Sequence, residues 1–495
     1  MLQAGTQAAA AILRDYSDRL QHGVALYAGV GNNGGDAYIV AAQLARSGVK
    51  ARVHAVSASR TDDARRAAAL AAPSLVHGAP TGHERLVVDG LLGTGHRDAL
   101  RDEVRRVCDV LALARERGAA IVALDMPSGL DATTGVIAQG SVAADVTLTF
   151  GTNKRGLLFA RGHAGRVLLL DIGLERHAFH DDGAWLMADD VTIARMLPDT
   201  PWDAHKGRRG KLALVGGATG MAGALVLSSR AALAAGCGLV RSWTDPSGMP
   251  VLQQAVPQAI AELWPVESDA ASESVWGTAL AIGPGLGRGD TSYALLKRAV
   301  RENADVPLLL DADALTLIAM HTSSRDAASA LCELGANSAN VVCTPHPREF
   351  ARLLGAPVPA DWQARADVLQ DFATRANATV LLKGTPTLIA APNGGRVHVV
   401  ARGTALLATG GSGDILTGII GALLAQGLAA GSAALLGATA HGLAAEIATE
   451  KARGIRGLTL DAVLQALPDA WRAMAQPTNF PPGIIAELPA LRTHA

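Results

Sequence analysis

Short apolar runs separated by amphipathic stretches organise the chain. "VALYAGV" (24–30), "ARVHAV" (51–56), "RLVVDGLLGTG" (85–95), "AIVALDMPSG" (120–129), "ADVTLTFG" (144–151) and "RVLLLDIG" (166–173) are rich in Val, Leu and Ile, and most run into Gly, Pro or Asp. Such runs predict strands buried on both faces. Between them, "DAYIVAAQLARSG" (36–48) and "RDEVRRVCDVLALARERG" (101–118) carry apolar residues at helical spacing and stop at Gly. Strands alternating with helices predict a parallel sheet covered on both sides.

The pattern breaks over 184–210, where "LPDTPWDAHKGRRG" is rich in Pro, Asp and charge, and predicts a junction. A second series follows. "KLALVGG" (211–217), "TALAIGPGLG" (278–287), "VPLLLDADAL" (306–315), "NVVCTPHP" (340–347) and "TVLLKGTPTLIAA" (379–391) predict strands ending in polar loops, with a helix over "AGALVLSSRAALAAG" (222–236). The longest apolar region runs from Ile415 toward Ala448, and Gly418, Gly421, Gly427, Gly431 and His441 interrupt it. It predicts two buried helices rather than a membrane span. We expect an α/β protein with one domain over 1–190 and another over 191–495.

Composition narrows the function. The net charge is −1 with no basic block, which removes the electrostatic footprint of a nucleic-acid binder. Cys108, Cys237, Cys332 and Cys343 are scattered without a CxxC, as expected of buried thiols in a reducing cytoplasm. Aromatics are only 3% of the chain, and abundant Gly and Ala suit close-packed α/β layers.

Ligands of open α/β sheets bind beyond the carboxyl ends of strands, and nearly every polar motif here sits at such an end. "GVGNNGGDAY" (29–38) follows the first strand. It reads either as a tight turn with Asp36 as a cap or as a polar loop for an oxygen-rich ligand. Asn33, Asp89 and Ser128 are oxygen donors of modest charge, a set suited to a hard cation. Asp125 is left as an acid–base candidate.

In the second series, "DADAL" brings Asp311 and Asp313, "TPHPREF" brings His346, and "LKGTPT" offers Lys383 and threonines suited to phosphate. "ATGGSGDILTG" (408–418) leads three glycines and a serine into Asp414 at the start of a helix. An acid there serves either as a capping charge or as a base inside an anion site.

The motifs "GNNGGD", "VVDGLLGTG", "LDMPSGLDATTG", "NKRGLL" and "DIG" resemble the NAD(P)H-hydrate epimerase family. The resemblance implies a Rossmann-like three-layer fold and interconversion of the R and S hydrates of NADH and NADPH. It implies that Asn32, Asn33, Gly34, Gly35 and Asp36, with Gly93, Thr94 and Gly95 of the "GTGHRDA" loop, contact the hydrate. It further implies K⁺ held by Asn33, Asp89 and Ser128, and Asp125 as the proton-transfer group at the nicotinamide end. Ala37 stands where the family usually has Gly. "MLQAG" matches an internal segment of the family, so either the native start lies further upstream, which we expect, or the domain has lost a lid or interface.

"HKGRRG", "GGATGMAGA", "IGPGLG", "DADAL", "TPHPREF", "LKG" and "GGSGD" span nearly all of 204–427. Together they resemble the ribokinase-like ADP/ATP-dependent NAD(P)H-hydrate dehydratases. That resemblance implies an α/β/α fold and dehydration of S-NADHX and S-NADPHX with ADP. Asp414 would be the base on the substrate hydroxyl, with Ala224, Gly285 and His346 as further hydrate contacts. Lys383, Gly384, Thr385, Pro386, Thr387 and Gly413 would bind the nucleotide. Mg²⁺ is expected, with Asp311 its candidate ligand. Thr404 replaces a frequent Asn. A homo-oligomer with no membrane partner is expected. The rival readings are a ribokinase-like kinase for a vitamin precursor and a nucleotide-sensing binding protein.

Overall fold

In the first unit the apolar runs become strands β1 (Val24–Ala28), β2 (Ala51–Ala55), β3 (Leu86–Gly90), β4 (Ala120–Leu124), β5 (Val146–Phe150) and β6 (Arg166–Leu170). This is seen in a computed structural model that describes residues 1–76, 79–97, 99–174, 185–264, 276–303, 305–322, 326–335 and 340–490. The six strands pair in parallel in the order β6-β5-β4-β3-β1-β2. Alternate side chains of β1 enter different cores. Val24, Leu26 and Ala28 pack with Ala8, Ile12 and Leu44, whereas Ala25 and Tyr27 pack with Cys108 and Leu111. The sheet is therefore covered on both faces, as the apolar runs require.

The second unit contains β7 (Trp185–Leu186), β8 (Lys211–Val215), β9 (Leu239–Thr244), β10 (Ile260–Leu263), β11 (Ala279–Ile282), β12 (Leu308–Leu310), β13 (Val341–Cys343), β14 (Thr379–Leu382), β15 (Thr387–Ala390) and β16 (Val397–Val400). Their order is β10-β9-β8-β11-β12-β13-β14-β15-β16-β7, parallel from β10 to β14 and antiparallel across β15. Leu212 and Leu214 share a core with Ile415, Ile419 and Leu436 of the helices Ser412–Ala425 and Ala430–Ala452. These are the expected pair of buried helices. No described helix is long and apolar enough to cross a membrane. The four cysteines are free.

Three expectations need correction. The junction over 184–210 is not irregular throughout, because β7 and the helix Asp190–Met196 lie inside it. "TVLLKGTPTLIAA" holds two antiparallel strands, β14 and β15, joined at Gly384–Pro386. The domain expectation also fails at its far end. The units are Met1–Asp181 with Asn479–His494, and Asp182–Thr478. The last strand, β17 (Ile484–Leu488), pairs antiparallel with β6 and completes a seven-stranded first sheet. Arg166 fixes this edge through ion pairs to Glu487 at 2.6 Å and Asp15 at 2.7 Å.

Both sheets reverse strand order at an internal strand near one edge. In the first, the chain leaves β1 for β2 on one side and returns as β3 on the other. In the second, β8 is followed by β9 on one side and flanked by β11 on the other. Such switch points open a crevice at the carboxyl ends of the strands. At the first crevice the loops after β1 and β3 come very close. A Cβ on Gly29 would stand 1.8 Å from the Leu91 carbonyl oxygen. Gly29→Ala is expected to lower stability by roughly 2–4 kcal/mol, since only backbone movement can relieve the clash. Thermal unfolding should show it as a fall of several degrees in the midpoint of the first unit. An unchanged midpoint would contradict the close approach.

Candidate functional sites

Each unit gathers its polar strand-end residues into one site. In the first, "GNNGGD" is not a loop. The helix Asn32–Arg46 begins at Asn32, capped by Gly31 without a side-chain bond, so Asn33, Gly34, Gly35 and Asp36 form its buried opening turns. Asp36 is consequently no cap. Asn33 donates from Nδ2 to the Leu92 carbonyl at 2.8 Å, tying the helix start to the loop after β3. Its buried Oδ1 has no hydrogen-bond partner among the described residues, nor does Oδ1 of Asp36. Ala37 is fully buried beside Gly90, whose missing side chain leaves room for the alanine Cβ.

Asp89, at the end of β3, is buried. Its Oδ1 accepts from the Ser128 hydroxyl at 2.5 Å and from the Leu91 N–H at 3.1 Å, and its Oδ2 from the Ser128 N–H at 2.8 Å. The Ser128 Oγ accepts from the Leu92 N–H at 3.0 Å. Asn33, Asp89 and Ser128 thus meet around residues 91–92. Burial pushes the Asp89 carboxyl upward.

Asp125 follows β4 with φ 62°, a left-handed conformation uncommon for a side-chain-bearing residue. Its Oδ1 pairs with the Lys154 ammonium at 2.6 Å and accepts from the Thr149 hydroxyl at 3.3 Å. Lys154 also donates to Thr149 Oγ1 at 2.9 Å and to the Phe150 carbonyl at 2.8 Å. A Cβ on Gly93 would lie 3.5 Å from Asn33 and 3.6 Å from Asp125 Oδ2, so Gly93 stands between the two groups. Burial first, and then the charge of Asp125, push Asp36 up to about 7. Asn32 is exposed and accepts from Thr61 at 2.7 Å, while Thr94 and Gly95 form an exposed turn. Asp98 of the same loop lies outside the described residues. Sequence reasoning missed Lys154 as a site residue, although a cation just after a strand, in "NKRGLL", was the available signal.

In the second unit the loops after β8 and β11 cross at the switch point. The Gly217 N–H donates to the Pro284 carbonyl at 3.0 Å and the Ala218 N–H to that of Gly285 at 2.7 Å. Ala224 lies in the first turn of the helix Ala222–Ala234 and faces Gly285.

Asp414 lies in the first turn of the helix Ser412–Ala425, whose cap is Gly411 at φ 94°. Glycine suits that left-handed position, and the turn leaves helix N–H groups free for an anion. Beneath it, buried Asp311 accepts from the Lys383 ammonium at Oδ1 (2.8 Å) and from the Thr417 hydroxyl at Oδ2 (2.7 Å). A Cβ on Gly413 would lie 3.3 Å from Lys383 Nζ, which places that cation at the same turn. Burial, followed by the charge of Asp311, pushes Asp414 up to about 7, against the pull of Lys383. Burial draws Lys383 down, but Asp311 and Glu349 outweigh it and hold the lysine above its ordinary value. Asp414 is thus poised to exchange a proton near neutrality beside a fixed positive charge.

His346 caps the helix Pro347–Leu354 through Nδ1, which accepts from Arg348 and Glu349, and Glu349 returns a bond to the His346 N–H. Burial, then the charge of Lys383, lower its pKa, which places it near the same cation. Gly384 and Thr385 are exposed in the β14–β15 turn, Pro386 is buried, and Thr387 donates to the Gly384 carbonyl. Of that group only Lys383 is joined to the acid cluster by a bond described here. Both Asp311 oxygens are engaged, and no group of three or more His, Cys, Asp or Glu suited to a metal occurs among the described residues. Each Asp311 oxygen keeps a further acceptor position, which is compatible with a Mg²⁺ held by one carboxylate together with nucleotide phosphates and water. Thr404 caps a short turn and shares a hydrogen bond with Thr449 at 3.0 Å.

Comparison with known proteins bears on both units. A family model described as NAD(P)H-hydrate dehydratase matches residues 212–469, and one described as YjeF-related protein N-terminus matches residues 1–156. The bifunctional NAD(P)H-hydrate repair enzyme of Escherichia coli K12 is 35% identical over 94% of this chain and 88% of its own. That of Leishmania infantum is 34% identical over 89% of this chain and 84% of its own. A solved structure of a hypothetical protein from Streptococcus mutans superposes with a TM-score of 0.51 at 23% identity, covering 59% of this chain and 100% of its own. That last likeness concerns the fold alone.

Proposed function

Because the chain belongs to the family of bifunctional NAD(P)H-hydrate repair enzymes, we propose that its first unit epimerises R- and S-NAD(P)HX and its second dehydrates the S form. ADP is consumed and AMP and phosphate are released. One observation carries the second half of this reading. A buried carboxyl, Asp414, opens a glycine-capped helix beside the Asp311–Lys383 pair.

Hydroxide leaves a carbon poorly, whereas phosphate leaves well. Asp414 takes the proton of the C6 hydroxyl as that oxygen attacks the terminal phosphorus of ADP. The P–O bond to AMP breaks and a phosphate ester forms. Phosphate then departs with the C–O bonding pair, and a proton leaves the neighbouring carbon to restore the ring double bond. The N–H groups of Gly411 and Gly413 and the Lys383 ammonium offset charge on the moving phosphoryl group. Ala224, Gly285 and His346 would line the hydrate, and Lys383, Gly384, Thr385, Pro386, Thr387 and Gly413 the nucleotide.

In the first unit Asp125 would move the proton at the nicotinamide end, with Lys154 holding its carboxylate. Residues 32–36 and 93–95 would line the hydrate. The donor set fits K⁺. Asn33 offers an unpartnered Oδ1, and Asp89 and Ser128 retain unused lone pairs beside it. A cation there would supply the positive charge that buried Asp89 needs to stay ionised. A cytoplasmic homo-oligomer acting on NADHX and NADPHX, without membrane or nucleic acid, completes the proposal.

The test is direct. Mixed R/S NADH hydrate is given to the purified chain, and recovery of reduced-nicotinamide absorbance is followed with ADP, with ATP and with neither. Full recovery with ADP is expected. Absence of recovery with either nucleotide would overturn the reading.

A further inference from the structure

One buried titratable side chain has no part in the mechanism above. His441 lies in the middle of the helix Ala430–Ala452 and is 6% exposed. Its Nε2 lies 3.4 Å from the Oγ of Ser412, which is also 6% exposed. Ser412 is the first residue of the helix that carries Asp414, directly after left-handed Gly411. Burial, and then the charge of Lys383, push His441 down to about 4. The ring is therefore neutral under working conditions, and Lys383 is near enough for its charge to be felt there.

A neutral imidazole has one N–H and one bare nitrogen, and a serine hydroxyl has one proton and two acceptor positions. If Nε2–H donates to Ser412 Oγ, the hydroxyl proton is free to point away from the ring. The Ser412 N–H is already spent on the Thr409 carbonyl at 3.1 Å. An alanine facing a leucine would fill the same space without desolvating an imidazole and a hydroxyl, so packing alone does not call for this pair. At 3.4 Å the contact is at the long end of hydrogen-bond distance.

We propose that His441 is a positioning residue of the dehydratase site, aiming the Ser412 hydroxyl so that it donates a hydrogen bond to the phosphoryl group in transfer. The serine thereby adds a side-chain donor to the N–H groups of the glycine turn, on the side facing the buried helix. This rests on the dehydratase reading of the second unit. Turnover of S-NADHX with ADP by the unaltered enzyme separates failure of that reading from failure of this one.

The experiment uses Ser412→Ala, His441→Phe, the double variant and His441→Gln, with epimerisation as an internal control. Each of the first two is expected to lower kcat for dehydration roughly 10- to 100-fold, with KM for ADP moving less than about threefold. The double variant should lose no more than the worse single, because both changes remove one interaction. His441→Gln carries an amide N–H toward the position of Nε2 and should recover most of the rate. Epimerisation should be unchanged in all four. If His441→Phe fails to fold, Ser412→Ala and His441→Gln still decide the matter. Losses that multiply in the double variant, a kcat within about twofold of the parent for Ser412→Ala, or no rescue by glutamine would each overturn the proposal.

Discussion

Asp414→Asn is expected to reduce ADP-dependent dehydration roughly a thousandfold while leaving epimerisation untouched. The amide matches the carboxyl in shape, so the helix start and the Asp311–Lys383 pair beneath it remain in place. What disappears is the capacity to accept the hydroxyl proton. The pH profile of the parent gives a second check. Asp414 is pushed up to about 7 from the ordinary 3.8, so its base form dominates only above neutrality. Dehydration should rise with pH up to about 7 and then level. Stability runs the other way. A raised carboxyl contributes stability that is present below its unfolded value and lost as pH climbs through the folded one. The asparagine variant escapes that loss, so its second unit should melt above the parent at pH 8 and match it more nearly at pH 5. Equal loss of both activities would contradict the division of chemistry between the units.

Asp125→Asn is expected to lower epimerisation by roughly 10²- to 10⁴-fold, with dehydration of pure S hydrate unaffected. The choice of substitution matters because Asp125 sits at φ 62°. Asparagine tolerates the left-handed region better than other side-chain-bearing residues, so the variant tests the charge rather than the backbone. Alanine would confound the two. With ADP and a mixture of the two epimers, the S portion should recover quickly and the R portion only at its spontaneous rate. Full rapid recovery would remove Asp125 from the proton-transfer role.

Much of this architecture was legible from local pattern. Strands buried on both faces announce themselves as apolar runs, and β1, β3, β4 and β5 lie where such runs predict them. Polar strand ends meet within each unit, Asp89 with Ser128 and Asp125 beside Gly93 in the first, and Asp311 with Lys383 in the second. Other features were hidden for identifiable reasons. The helix at Asn32 starts without a side-chain cap and with two glycines in its opening turns, so helical periodicity is visible only from Asp36. β7 is two residues long and carries no period at all. The pairing of Asp125 with Lys154 joins residues from two different strand ends. Spacing along the chain encodes no such distance. The His441–Ser412 contact was equally invisible, since His441 reads simply as a polar interruption of an apolar helix.

The return of β17 to the first sheet has a consequence for biosynthesis. β6 must wait for its neighbour while the ribosome makes everything from Asp182 to Thr478. At ordinary translation speeds that interval is on the order of tens of seconds. Throughout it the nascent first unit carries an open strand edge, four of whose five residues are buried in the finished protein. Exposed edges of this kind template pairing with other chains. The most aggregation-prone moment in the life of this protein is therefore set by the order of synthesis, and it ends only when the last strand of the chain arrives.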